Sequence, residues 1–243
     1  MNADLDRLFD EVDAILLDFD GPICKIFAGY PARDVAAELV DLLYRHGVNV
    51  PAPLASETDP LEVLRWTGST GDQAVTRTVD NALSAAEGRA VATAAPTPYG
   101  REVIVAARQA GLPVAVVSNN SAGAVNAYLA AHRLIGHVAP VIGRAYADPS
   151  LMKPNPDPIL RAVHALGTSP DRTVLVGDST SDIEGGRAAG IRVIAYANRP
   201  PKVDTLRNAG AEMVITSMGP IAEVLVRRCE QAEEQTSLGR AGG

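Results

Sequence analysis

Four short stretches of this chain carry side chains suited to moving a phosphoryl group. Asp18 and Asp20 flank Phe19 just before Gly21-Pro22. A turn there aims Asp18 into a cleft and leaves Asp20 on the loop above it, so one carboxylate can attack phosphorus while the other handles protons. Ser118-Asn119 offers a hydroxyl and an amide, both donors to phosphoryl oxygens. Lys153 sits in Met152-Lys153-Pro154-Asn155-Pro156-Asp157-Pro158, where prolines stiffen the chain around a cation able to neutralise nucleophile and phosphoryl group together. Asp178 and Asp182, in Gly177-Asp178-Ser179-Thr180-Ser181-Asp182, are oxygen donors of the kind Mg²⁺ prefers.

Each stretch also has an ordinary explanation. Asp and Gly form solvated turns, Ser118, Asn119 or Ser121 can cap a following helix, and a lone lysine is usually solvated. Asp182 suits the first turn of a helix, where the dipole favours an acid. The set is more telling than its members: two acids, a hydroxyl with an amide, a lysine and two more acids, all on loops that follow apolar runs.

Those runs are the elements that must position the chemistry. Residues 14–17, 114–117, 174–176, 191–195 and 213–215 are short, apolar and rich in β-branched side chains, as strands of a parallel sheet covered on both faces should be. Helical patterns lie between them at 101–110, 122–131, 158–166 and 182–189, with Asp157 expected to cap the third. Alternating strands and helices predict an α/β, doubly wound parallel sheet of Rossmann-like type. In open sheets of this kind ligands bind beyond the carboxyl ends of the strands, where the polar stretches fall.

Residues 24–97 differ. Helical patterns at 32–45, 60–66 and 73–87 follow one another without a convincing strand, and Pro96-Thr97-Pro98 reads as a hinge. The expected organisation is a core of residues 10–23 and 98–228, a small inserted α-helical cap over 24–97, and a disordered polar tail over 229–243.

Composition narrows the function classes. The chain has 243 residues, 47% hydrophobic and 21% charged, with a net charge of −7, which argues against general affinity for nucleic acid or an anionic membrane. Its two cysteines, Cys24 and Cys229, make neither a disulfide framework nor a metal-binding spacing. Residues 1–13 are acidic and amphipathic, unlike a signal peptide, and no apolar run is long enough to span a bilayer. The expectation is a cytoplasmic protein.

Taken in order, these stretches resemble the motifs of the haloacid dehalogenase superfamily of hydrolases. Ile15-Leu16-Leu17-Asp18-Phe19-Asp20-Gly21 matches an apolar strand ending Asp-x-Asp-Gly. Val116-Val117-Ser118 matches a strand ending in Ser or Thr, Lys153-Pro154 a lysine followed by proline, and Gly177 to Asp182 the pattern Gly-Asp-Ser-x-x-Asp. Pro22-Ile23 departs from the Thr-Leu or Thr-Val common in relatives.

The resemblance implies a Mg²⁺-dependent phosphatase acting on a small phosphorylated metabolite through a phosphoaspartate on Asp18, similar to phosphoglycolate phosphatases. Asp20 would be the general acid and base, Ser118 and Lys153 would hold phosphoryl oxygens, and Asn119 would help. Gly21 and Phe27 would belong to the phosphate- and substrate-binding positions. The metal would be held by Asp18, the Asp20 carbonyl and Asp178, with Asp182 in support. Asp20 favours phosphate chemistry over carbon–halogen cleavage. The alternatives are a phosphomutase similar to β-phosphoglucomutase and a non-catalytic phospho-ligand-binding protein similar to a receiver domain, although the acid pair after Lys153 is in the wrong order for the latter.

Overall fold

The computed structural model describes residues 2–241. In chain order its helices and strands are α1 (Asn2–Glu11), β1 (Ala14–Leu17), β2 (Cys24–Lys25), α2 (Ala32–Arg45), α3 (Ala52–Ala55), α4 (Pro60–Ser69), α5 (Gln73–Ala90), β3 (Ala95–Pro96), α6 (Gly100–Gln109), β4 (Val114–Val117) and α7 (Ala122–Ala131). They continue with β5 (Val141–Ile142), α8 (Asp157–Leu166), β6 (Thr173–Gly177), α9 (Thr180–Ala188), β7 (Arg192–Tyr196), α10 (Pro201–Asn208), β8 (Met213–Ile215) and α11 (Gly219–Ala241).

Six strands form one sheet in the order β5-β4-β1-β6-β7-β8, every pairing parallel. This is the doubly wound α/β architecture that the alternating pattern predicts. All residues of β1 and β4 are buried because helices cover both faces. Side chains alternate between the two sides with the strand period of two. Ile15, Leu17, Val114 and Val116 pack with Leu5, Phe9, Val103, Tyr128 and Leu225, whereas Leu16, Ala115 and Val117 pack with Ile159, Ala162 and Val163.

The register places the chemistry. Leu17 lies beside Val116 on one flank and Val176 on the other, so β1, β4 and β6 end together. The Asp18 N–H donates to the Val176 carbonyl (2.9 Å) and the Ser118 N–H to that of Ile142 (2.9 Å), carrying the parallel pattern one residue past each strand.

Helices α2, α4 and α5 share a separate apolar cluster built on Val35, Leu39, Leu43, Leu64, Val79 and Leu83. Asp59 caps α4 and Asp72 caps α5 through side-chain bonds to first-turn N–H groups. The strand-free reading of 24–97 misses β2 and β3, which pair antiparallel as Cys24↔Pro96 and Lys25↔Ala95 and zip together the chain entering and leaving the helical layer. Pro96 is therefore a strand residue, tolerated in so short a ladder. Asp157 is the first residue of α8 and makes no cap bond; Asn155 Oδ1 accepts its N–H instead. Where a disordered tail is expected from residue 229, α11 continues to Ala241. The Glu, Gln and Arg of that segment are strong helix formers despite their polarity, and so is Ala. Gly242 and Gly243 lie outside the described residues.

Candidate active site

The carboxyl ends of β1, β4 and β6 face residues 58–65 of the helical layer across a cleft of about 470 Å³, within the range of small-molecule sites. Asp18, Asp20, Ser118, Asn119, Lys153 and Asp178 line it from the sheet side, and Phe27, Asp59, Leu61 and Arg65 from the other.

Lys153 is the hub. Its ammonium is buried and donates to the Val117 carbonyl (2.7 Å) and Asp182 Oδ1 (2.6 Å), and it lies 3.0 Å from Asp18 Oδ1. Burial opposes its charge, yet Asp18 and Asp182 outweigh that and hold its pKa above the ordinary lysine value. Asp18 Oδ1 also accepts the Phe19 N–H at 2.7 Å. Burial pushes the Asp18 carboxyl up to about 7 against the pull of Lys153, with Asp182 and Asp178 adding to the rise.

Asp20 accepts the Ile26 N–H at 2.9 Å and is pushed up to about 6, mainly by burial. Ser121, not Ser118 or Asn119, caps α7. Ser118 Oγ is held in the turn by Asn120, donating to its side-chain oxygen (3.2 Å) and accepting its N–H (3.1 Å).

Two expected phosphate contacts have other tasks. Both ends of the Asn119 amide engage the backbone of Lys153, Nδ2 donating to its carbonyl (3.0 Å) and Oδ1 accepting its N–H (2.9 Å). Asn119 thus ties the turn after β4 to the lysine loop. Gly21 does not line the cleft, and its N–H is spent on the Cys24 carbonyl (2.7 Å). Its φ of +110° and the lack of a side chain are what the site uses, since a Cβ there would lie 2.4 Å from Asp178 Cγ. Phe27 lines the cleft and packs against the apolar clusters of both the sheet side and the helical layer.

Carboxylate oxygens of Asp18, Asp178 and Asp182 lie within 4.8 Å of one another, a hard-oxygen donor set that fits a divalent cation. Asp182 is already committed, through Oδ1 to Lys153 and through Oδ2 to Ser179 in a capping box at the start of α9. Asp182 thus holds the lysine and the loop from behind, whereas Asp18 and Asp178 line the cleft itself. Burial pushes Asp178 up to about 6, opposed by Lys202.

Several participants escape the sequence motifs. Lys202 bonds Asp178 Oδ2 and, at 2.9 Å, the Asp178 carbonyl; Asn198 Nδ2 donates to the same Oδ2 at 2.9 Å. Asn198 comes from the loop after β7 and Lys202 from the first turn of α10, and the rule that ligands gather at strand carboxyl ends was the available signal. Thr97 Oγ1 donates to the Gly21 carbonyl at 2.5 Å, pinning the Asp18 loop where Pro22 offers no N–H. Among the described residues, Lys153 and Lys202 are the ammonium groups set against Asp18, Asp20, Asp178 and Asp182, and a divalent cation would offset the acidic excess at these strand ends.

Comparison with known proteins agrees with this architecture. Residues 64–196 match the model of the haloacid dehalogenase-like hydrolase family, and the chain belongs to that family. It is 36% identical over 83 residues to the pyrophosphatase PpaX of Halalkalibacterium halodurans, covering 33% of this chain and 38% of that one. It is 33% identical over 93 residues to phosphoglycolate phosphatase of Escherichia coli, covering 38% and 36% respectively. The match thus spans less than two fifths of either relative's length. A crystal structure of a predicted phosphatase from Clostridium acetobutylicum shares the fold with a TM-score of 0.68 at 16% identity, over 89% of this chain and 99% of that one. No helix among the described residues is long and apolar enough to cross a membrane.

Proposed function

We propose that this chain is a Mg²⁺-dependent phosphatase that hydrolyses a small phosphate monoester through a phosphoaspartate on Asp18. The observation that carries the proposal is the buried Lys153 ammonium held between Asp18 and Asp182, at the meeting point of three strand ends that also present Asp20, Ser118 and Asp178. Phosphoryl transfer needs mainly positioning and charge neutralisation, and this cluster offers both.

An Asp18 carboxylate oxygen attacks phosphorus as the bond to the leaving alkoxide breaks, and Asp20 gives that alkoxide its proton. Asp20 then takes a proton from water, which displaces Asp18 from phosphorus and frees inorganic phosphate. A carboxyl poised near 6 suits both roles. Lys153 and Ser118 hold phosphoryl oxygens, while Asn119 keeps the lysine loop in register with the serine turn. Mg²⁺ held by Asp18, Asp178 and the Asp20 carbonyl would neutralise charge on the transferring group. The helical layer serves as a cap that shields the cleft and supplies Phe27, Leu61 and Arg65 to the leaving group. The relatives' names make small phosphorylated compounds, phosphoglycolate among them, the first substrates to try.

The test is phosphate release from p-nitrophenyl phosphate and a panel of small phosphomonoesters, with Mg²⁺ or EDTA, beside Asp18→Asn and Asp20→Asn. Metal-dependent release that Asp18→Asn abolishes, and that Asp20→Asn slows by about 10²–10⁴-fold, is expected. Phosphoryl transfer to a sugar phosphate in place of release to water would overturn the assignment.

A further inference from the structure

We propose that Arg144 is a positioning residue that couples the seating of the helical layer to the two loops that hold the phosphoryl group. The inference rests on the phosphatase assignment for its kinetic consequence, but its geometry stands independently.

The side chain of Arg144, on the loop after β5, is buried with those of Asp80 and Glu87 of α5; the three are 1%, 2% and 0% exposed. Its Nε and Nη2 reach Asp80 Oδ1 (2.9 and 2.7 Å), and Nη1 reaches both Glu87 Oε1 and the Asn119 carbonyl (2.8 Å each). Glu87 in turn accepts from Asn120 Nδ2 (3.1 Å) and the Ser121 N–H (2.9 Å). Asn120 is the residue that holds Ser118. One guanidinium therefore joins the helical layer to the serine turn.

The chain beyond Arg144 is fastened to the same helices up to the catalytic lysine. The Ala147 N–H donates to Asp80 Oδ2 (2.6 Å), and Pro149 packs so closely on Gly68 that a Cβ there would lie 2.4 Å from its Cγ. Met152 is buried in the apolar cluster of the helical layer, and Arg65 Nη2 donates to the Lys153 carbonyl (2.7 Å). Residues 144–153 are thus packed as part of the layer, although they belong to the loop that delivers Lys153 to Asp18.

Desolvated ion pairs lose heavily when one partner is withdrawn, so this seam is either seated or broken and does not slide gradually. When the layer is seated, Lys153 and Ser118 are in place; when it lifts, both loose their supports together. Cap position is thereby read directly by the groups that bind the phosphoryl oxygens.

The test compares the full wild-type chain with Arg144→Lys, which keeps the charge but cannot span Asp80, Glu87 and the Asn119 carbonyl at once. Hydrogen exchange followed by mass spectrometry and Mg²⁺-dependent turnover of p-nitrophenyl phosphate are read on each. Exchange should rise together in α5, residues 144–153 and the turn 118–121. Turnover should fall by up to about 10²-fold in kcat, the scale of a small misplacement of catalytic groups, with KM little changed. A lowered melting temperature with unchanged kcat, or exchange that rises in α5 alone, overturns the coupling. The triple variant R144M/D80N/E87Q removes the buried charges and guards against misfolding; full activity in that folded variant also overturns it. If the wild-type chain turns over no phosphomonoester, the phosphatase assignment fails, and the exchange measurement still decides the coupling.

Discussion

Asp18, Asp20 and Asp178 all hold their protons more tightly than a solvated aspartate because burial penalises the charged form. Their folded values, about 7, 6 and 6, lie above the ordinary value of 3.8. For a raised pKa, protonation favours the folded chain. The stabilising contribution is complete below about pH 4 and is lost as pH rises through 6 to 7. In EDTA, the urea midpoint attributable to these groups should fall between about pH 5 and about pH 8, and Asp178→Asn should flatten part of that fall. On the proposed assignment Mg²⁺ would bind the ionised forms, so its stabilising shift in melting temperature should be larger at pH 8 than at pH 5. A shift independent of pH would show that these carboxylates are not the ones the cation engages.

Among the elements, β1 sets the geometry of the whole site, because it lies between the two strands that present Ser118 and Asp178. Leu16 fixes that strand against the α8 face and is fully buried. Leu16→Ala should destabilise the chain by about 2–5 kcal/mol, from lost burial and the cavity left behind. At the start of α5, Asp72→Ala should cost about 1 kcal/mol through loss of its bonds to Ala74 and Val75. Urea unfolding followed by circular dichroism gives both values. The difference in size reflects where each residue acts, one in a close-packed core and the other at an exposed helix end.

At the scale of the molecule, the helical layer decides what can reach Asp18. The cleft is walled by sheet loops on one side and by residues 58–65 on the other, and the chain carries a net charge of −7. A compact ester fits such a space, whereas a phosphate on the surface of a folded acidic protein meets both a steric and an electrostatic barrier. Phosphate release from small monoesters should therefore exceed release from a phosphorylated folded protein at equal phosphate concentration. Comparable rates would indicate a cleft far more open than the one described.

The division between what sequence determined and what tertiary structure decided follows from the range of the interactions. Strands buried on both faces leave continuous apolar runs, and helices leave caps and periodic stripes, so β1, β4 and α2 are legible from local residues alone. Asp18, Asp20, Ser118, Lys153 and Asp178 are legible too, because they sit in short polar stretches just past apolar runs or within a proline-stiffened loop. Partnerships made across the fold left no such mark. Thr97 reaches Gly21 from 76 residues away, Arg144 reaches Asp80 from 64, and Lys202 reaches Asp178 from 24. None of those side chains differs locally from a solvated one. β2, β3 and β5, at two residues each, are too short to show any period. Asn119 and Gly21 were visible as residues, but their tasks were not, because only packing determines whether a donor is free for a ligand or spent on the chain. The sequence by itself determined which groups are available for chemistry; only the tertiary structure decided how those groups are held, since holding is the work of contacts between segments remote along the chain.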